Sequence, residues 1–574
     1  MPGPVTIPFP LSSFPGANPQ EGSGRLINAY AEPLGEASKP SSPAPQVWRG
    51  TAGLTQFALT AENNYRGGLQ VKGIVYEAFQ SNVVTVDQTG AVVTVLGNML
   101  GTKKVSIARN QAANPDVVAV DPDNGAFALT AAGVPNAPTA YNGGGNLPQP
   151  NSVAFQDGYF FFTIGDGRVF ASALNALTQN ALTFTTLQAK SDVTLLRGIP
   201  LSGLMLFFTT GSCEVQQDAA NPAPAYPYAR VTVLETSLVQ SAAIAGYEVG
   251  FGELLWVASD YGVYWMTAGS LSQPVKVSPP DLDRLIEAQI KAGNQLEAGT
   301  QLYGGRKFWN ISSPAWTWEF NLATRKWHEK QSWKAGVYGR ARATCGHPAF
   351  NKWLVGDQQG GKIHLVDDTA FTEDGSPLLF RLESGPVKGF PQQVSIARAD
   401  FDFDFGTAQI VGNYQMTVLG AAAGTAGVVR LTVNSTSQAQ TGHEVQVANV
   451  GGTVEANGTF PMVVVDANHI ELTGTVFVHA YTSGGTATDI TAAPGAISPN
   501  CAISCSKNGG QTFDNPSIRS LAPQGKVKRS RASVKNRGQA GPSGVRWRID
   551  ITDPVYRGLM GATMSGDPRE VMPR

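Results

Sequence analysis

Seven times between residues 68 and 366 the chain writes an apolar strand, a polar turn and a second apolar strand. The copies open at Gly73 (GIVYEAFQSNVVTVDQTGAVV), Val105 (VSIARNQAANPDVVAVDPDNGAFAL), Asp157 (DGYFFFTIGDGRVFASAL) and Gly203 (GLMLFFTTGSCEVQ). Three more follow at Gly252 (GELLWVASDYGVYWMTA), Arg306 (RKFWNISSPAWTWEFNLATRKW) and Asn351 (NKWLVGDQQGGKIHLV). Their spacing, about 30 to 55 residues, is the period of propeller blades. One antiparallel pair cannot bury both of its faces, so such units must stack, and a ring closes the stack with only short edges left over. The turns fit: Asn124-Gly125, Asp157-Gly158 and Asp166-Gly167 are pairs suited to tight hairpins. Asp121, Asp123 and Gly125 read as a turn, because the later ligands of a calcium loop are missing. The expectation is an all-β chain built on an irregular β-propeller of six or seven blades.

A chain of 574 residues exceeds the roughly 250–300 that one core supports. We divide it into an N-terminal arm with the strand that leads into the propeller (1–60) and the propeller itself (61–370). A C-terminal β domain (371–411 and 496–574) is interrupted by an inserted β module (412–495). The insert is rich in Thr, Val and Gly, and a strand of its host resumes at NCAISCSKNGGQTF, as if it filled a hairpin. VWRGTAGLTQFA reads as the segment that supplies an edge strand to the propeller. The one clear helix covers 281–298, between two blades. Leu282, Leu285, Ile286 and Ile290 form its apolar stripe, directed at a sheet edge or at a neighbouring subunit.

The four cysteines are too few for a disulfide scaffold, and Cys501 and Cys505, four apart on a strand, lie too far apart to bridge. No stretch approaches the roughly 18–20 apolar residues of a membrane span, and the proline-broken N-terminus lacks a signal-peptide pattern. We expect no membrane insertion and a cytosolic site of synthesis. In ADFDFDF, Phe401, Phe403 and Phe405 alternate with Asp402 and Asp404, a half-buried strand whose acids line a solvated edge. Between Asp514 and Asp550 there is no acid but nine basic residues: Arg519, Lys526, Lys528, Arg529, Arg531, Lys535, Arg537, Arg546 and Arg548. Such a footprint suits phosphate or an acidic protein face, and the scarcity of aromatics argues against base reading.

Chemistry-bearing motifs are missing: no G-x-S-x-G, no H-E-x-x-H, no P-loop and no C-x2-C. We expect no enzyme, no metal and no cofactor. An alternative, a glycan-binding or glycan-cleaving propeller of receptor-binding or sialidase-like type, is prompted by two features. Ser506 to Phe513 approximates an Asp-box, and Trp309, Trp316, Trp318, Trp327 and Trp333 are closely spaced. The box folds a hairpin tip, and the tryptophans alternate with charges as blade-core residues do.

Taken in order, the NAYAEP segment at Asn28, VWRGTAGL at Val47, the propeller units and the helix before QLYGGRKFWNISSP resemble a known family, as do the closing SKNGGQTF, SLAPQGKVKRSR and VRWRIDITDPVYRGLMGA. The family is the packaged-DNA stabilisation, or tail nozzle (tail hub), proteins of P22-like short-tailed bacteriophages. The likeness is clearest over 28–57, 193–313 and 501–562. The insert departs from it and is similar to a β domain found in many phage structural proteins. The resemblance implies a structural virion protein of the tail, assembled in the host cytoplasm. It implies a homo-oligomeric ring, typically a hexamer, below the portal and its adaptor. That ring continues the DNA channel, serves genome packaging and ejection by holding packaged DNA non-specifically, and carries the needle, fibres or spikes. Arg519, Lys526, Lys528, Arg529, Arg531, Lys535 and Arg537 would then face either the DNA channel or a neighbouring subunit.

Overall fold

The computed structural model describes residues 4–34, 46–187, 193–267, 273–387, 393–404, 414–490 apart from 438 and 440, 499–521, and 529–569 apart from 567. Seven four-stranded antiparallel blades follow one another. Blade 1 runs from Gly67–Val71 to Val92–Asn98, blade 2 from Ser106–Arg109 to Val134–Tyr141, and blade 3 from Ser152–Gln156 to Gln179–Thr186. Blade 4 runs from Leu195–Leu201 to Tyr228–Leu234, blade 5 from Ile244–Ala245 to Val275–Lys276, and blade 6 from Glu297–Tyr303 to Lys326–Lys334. Blade 7 has only three strands of local origin, Ala343–Ala349, Lys352–Asp357 and Lys362–Asp367. Its fourth, Gly53–Leu59, comes from the N-terminal side and pairs antiparallel with Lys362–Asp367. The innermost strands of blades 7 and 1 touch, which closes the ring.

The run YFFFT shows why the blades read as continuous apolar stretches. Phe160 and Phe162 enter the core shared with blade 2, and Phe161 enters the one shared with blade 4. Val118 and Val120 against Val117 and Ala119, and Leu206 and Phe208 against Met205 and Phe207, divide the same way. A blade strand is buried on both faces, so the usual polar alternation is lost. Four hairpins between first and second strands turn on Asp157-Gly158, Ser202-Gly203, Gly304-Gly305 and Phe350-Asn351, with both residues at positive φ, the geometry whose twist matches the flanking strands.

The helix is shorter than the sequence suggests. It spans Pro280–Lys291, with Pro279 as its N-cap, and ends before Gly293, which sits at φ +75°. Leu296 is buried beyond it, and Glu297 already begins blade 6. Apolar spacing carried the expected boundary past a left-handed glycine that the helix cannot include.

Two sheets beyond the ring form a sandwich. One has the order Ala29–Pro33, Gln46–Gly50, Gly558–Ser565, Gln393–Asp404, Arg529–Ala540, with Val5–Thr6 and Pro568–Arg569 at its margins. The other continues blade 6: Lys326–Lys334 pairs with Arg25–Ile27, followed by Phe380–Glu383, Arg546–Ile551, Asn500–Ser506 and Ser517–Ser520. Their common core contains Phe401, Phe403, Ile503, Trp547 and Leu559. The strands among the described part of the first 50 residues therefore belong to this sandwich and to its continuation from blade 6. Gln393–Asp404 is paired on both sides, with Arg529–Ala540 and Gly558–Ser565, so its acids lie on a central strand instead of the expected edge. Phe405 lies outside the described residues.

The insert forms a closed six-stranded barrel over 415–489 with its own core of Val418, Leu431, Val445, Ile470 and their neighbours. The host strands on either side, Gln393–Asp404 and Asn500–Ser506, belong to different sheets of the sandwich. The barrel thus fills a sheet-to-sheet connection, and the hairpin inferred from sequence is not there.

Candidate functional site: the charged sandwich face and its seam with the propeller

The basic run and the alternating acids, far apart in sequence, are cross-strand partners. Antiparallel register sets Asp404 opposite Arg529, Asp402 opposite Arg531, Asp400 opposite Ser533 and Arg398 opposite Lys535. Alternation sends Phe401 and Phe403 into the core and the acids outward. Arg531 grips Asp402 with two hydrogen bonds, of 2.7 and 3.2 Å, with its side chain 58% exposed. Arg398 donates to Asp400 at 2.8 Å. Lys535 is exposed on the same strand.

The remaining basic residues divide. Arg519 is exposed and donates from Nε to the Ser533 carbonyl at 2.8 Å, linking the edges of the two sheets. Arg537, 15% exposed, is held by Asp514 at 3.1 Å, by the Ile503 carbonyl and by Ser517 Oγ. Arg546 is buried and donates to the Gly22 carbonyl at 2.6 Å. Lys526 and Lys528 lie outside the described residues. Among the described side chains, one footprint in sequence is thus carboxylate pairs at Arg531 and Arg548, internal braces at Arg537 and Arg546, and exposed cations at Arg519 and Lys535 in space.

A second row of charges runs from the propeller into the sandwich. Arg25 reaches Glu329 of blade 6 with both Nε and Nη2, at 2.9 and 2.5 Å. It stands opposite Glu383, which accepts from Arg548 at 2.9 Å. The Arg548 guanidinium lies over the Phe513 ring, 3.7 Å from its centre. Burial works against the Arg25 charge, but Glu329 and Glu383 overcome it and raise its pKa. Next to Phe513, the Asp-box remnant folds as a hairpin tip. Asn508 Oδ1 accepts from the Thr512 amide at 3.0 Å, and Ser506 Oγ accepts from Gly510 at 2.8 Å.

On the helix, Leu282 and Ile286 are fully buried in the propeller core, and Leu285 and Ile290 pack against it. The stripe therefore faces its own chain and does not form an outward surface. Trp309, Trp318 and Trp327 are also buried, with Trp309 and Trp318 both edge-on to Trp327. Two Tyr/Glu pairs are present, Tyr65–Glu77 at 2.6 Å and Tyr303–Glu319 at 2.8 Å. Burial, reinforced by the adjacent carboxylate, pushes both tyrosines well above their ordinary pKa, so each keeps its proton.

The family model described as bacteriophage P22 Gp10, beta-propeller, matches residues 16–371, from ahead of the sandwich strand Arg25–Ile27 through the last blade. The chain belongs to this phage-stabilisation family. The Gp10-like chain is accordingly a structural phage protein, and no helix among its described residues is long and apolar enough to cross a membrane. No curated protein sequence matches it. Among solved structures it is similar to the computationally designed Ika8 protein, at 11% identity over 55% of this chain and 99% of that one, TM-score 0.33. It is similar to the Cps50 (Swd1) beta-propeller domain of Myceliophteria thermophila, at 8% identity over 54% and 98%, TM-score 0.36. It is also similar to BamB from Moraxella catarrhalis, at 12% identity over 60% and 99%, TM-score 0.33.

Sequence reasoning missed the seam. The only trace of the Arg25–Glu329 and Arg381–Asp550 pairs in the sequence is that Arg25, Glu329, Arg381 and Asp550 all sit in short strand-like runs. The pairs are 304 and 169 residues apart, and no local pattern joins them.

Proposed function

We propose that this Gp10-like protein is a tail nozzle, or hub, that acts by assembly and not by catalysis. Six copies form a ring beneath the portal and its adaptor, continue the DNA channel, help retain the packaged genome and anchor the needle, fibres or spikes. The observation that carries the reading is the family match over 16–371. The continuous sheet from blade 6 into the sandwich supports it, since a channel component under the pressure of packaged DNA needs a stiff frame. Heterologous contacts between neighbours close such a ring. Within this reading, non-specific contact with DNA phosphates falls to the exposed Arg519 and Lys535, because Arg531 and Arg537 already have carboxylate partners.

The test is negative-stain imaging of phage particles made with this gene disrupted. Heads that fill and then leak DNA, with a stump in place of the tail, are the expected result. Particles that keep their DNA and a complete tail would overturn the reading.

A further inference from the structure

A cavity of about 260 Å³ lies at the seam, between the sandwich strands around Tyr30 and Gly50 and the propeller hairpin at Gly304. Its charged lining is unbalanced. Glu32 accepts from both Arg49 and Arg306, so one carboxylate serves two guanidinium groups. A third guanidinium, Arg557, is only 2% exposed. Its Nη1 donates to the Leu378 carbonyl at 2.5 Å, while Nε and Nη2 have no partner. Thr51, 3% exposed, lines the same cavity, and its hydroxyl is also without a partner.

Buried donors are rarely left unpaired, and a buried charge least of all. Here two such side chains, from different strands, line one space. The Arg557 guanidinium carbon lies over the Phe371 ring, 5.9 Å from its centre. Position 50 is glycine, and a Cβ built there stands 3.3 Å from Arg557 Nε. The unmatched guanidinium nitrogens can only donate and the Thr51 hydroxyl can donate, so the missing partner is an acceptor. Three guanidinium groups against Glu32 and Asp368 leave the lining one positive charge in excess, with Glu373 behind it as the carboxylate whose charge acts on Arg557, and that excess favours an anion. Asp368 is the other carboxylate in the lining, and it is exposed.

We propose that the seam cavity binds a small oxyanion, a phosphate or a carboxylate, on Arg557 and Thr51, with Arg49 and Arg306 completing the positive surround. The site is independent of the assembly role proposed above. Its walls come from both the propeller and the sandwich, so an occupant favours the docked arrangement of the two by mass action.

The test titrates the full-length protein by calorimetry with inorganic phosphate and, separately, with glutarate as a carboxylate probe, with melting curves at each concentration. Saturable binding of one anion per chain, with a rising melting temperature, is expected. In Thr51→Val and Arg557→Lys the affinity should fall tenfold or more. Tighter binding of phosphate assigns a free phosphate as the natural occupant; tighter binding of glutarate assigns a carboxylate supplied by a polypeptide. No saturable binding of either probe overturns the proposal and leaves a water-filled cavity. So does unchanged affinity in Thr51→Val, the variant that preserves side-chain shape and carries the test should Arg557→Lys fail to fold.

Discussion

Arg531 and Arg537 are six residues apart on one strand and have different surroundings. Arg531 holds Asp402 in solvent, where water screens the pair and it adds little to stability. Arg537 braces Asp514, the Ile503 carbonyl and Ser517 inside the sandwich, where losing a charged hydrogen-bonding partner costs roughly 1–3 kcal/mol. Urea titrations should therefore find Arg531→Ala close to wild type and Arg537→Ala clearly weakened; equal losses would contradict these assignments. Sequence could count the positive charges but not their partners, since Asp402 is 129 residues from Arg531. The cysteines permit a second residue-level prediction. Burial pushes Cys501 and Cys505 up to about 12 and Cys213 well above the ordinary thiol value, so all three stay protonated in the fold. Cys345 is only half-buried. Iodoacetamide at pH 8 should label Cys345 in the native protein and the other three only after unfolding, as read by peptide mass spectrometry.

Among the elements, the strand Glu297–Tyr303 carries a charge that ties distant blades together. Glu297 reaches Arg340 at the end of blade 6 and lies 3.5 Å from Lys104, in the segment between blades 1 and 2. Blades 7 and 1 lie between those points, so the contact spans the hub, where the innermost strands converge. Burial alone would raise the Glu297 pKa, but Lys104, Arg340 and Thr344 bring it down to about 2. An unfolded glutamate titrates near 4.3. The stabilisation is thus complete above that value and is lost as pH falls from about 4 toward 2. The urea midpoint of the wild type should drop across this window, and Glu297→Gln, which has no charge to lose, should drop less. Parallel curves would show that the carboxylate is not what fastens the hub. Such ties are invisible in sequence, whereas the closing strand of blade 7 was legible in VWRGTAGLTQFA because its composition matched the blades. The helix was legible in type but not in length: apolar spacing says where a stripe continues, and Gly293 decides where the backbone stops.

At the scale of the molecule, the chain begins in the sandwich, leaves through Gly53–Leu59 to finish blade 7, circles the ring and returns at Phe380–Glu383. Turn signals and doubly buried strands made the ring legible. The sandwich was harder to see, because its strands are gathered from both ends of the chain and its registers are set by contacts hundreds of residues apart. The ten-stranded sheet across the seam makes propeller and sandwich one mechanical body. The barrel is different: among the described residues its strands pair only with one another, and its core is separate from the other cores. A closed barrel leaves no edge for its host to complete, and an insertion in a surface connection leaves the host core alone. Calorimetry of the intact chain should therefore resolve two transitions, one for the barrel and one for propeller and sandwich together. Replacing 412–495 by a short Gly/Ser linker should remove the first and leave the second within a few degrees. Cutting the seam with Arg25→Ala, which leaves the mostly buried Glu329 unpaired, should lower the second transition and leave the first in place; breaking a buried pair costs about 3–5 kcal/mol, and partial exposure of Arg25 puts this one at or below the lower end. A single transition that moves with both changes would mean that the barrel is built into the frame after all.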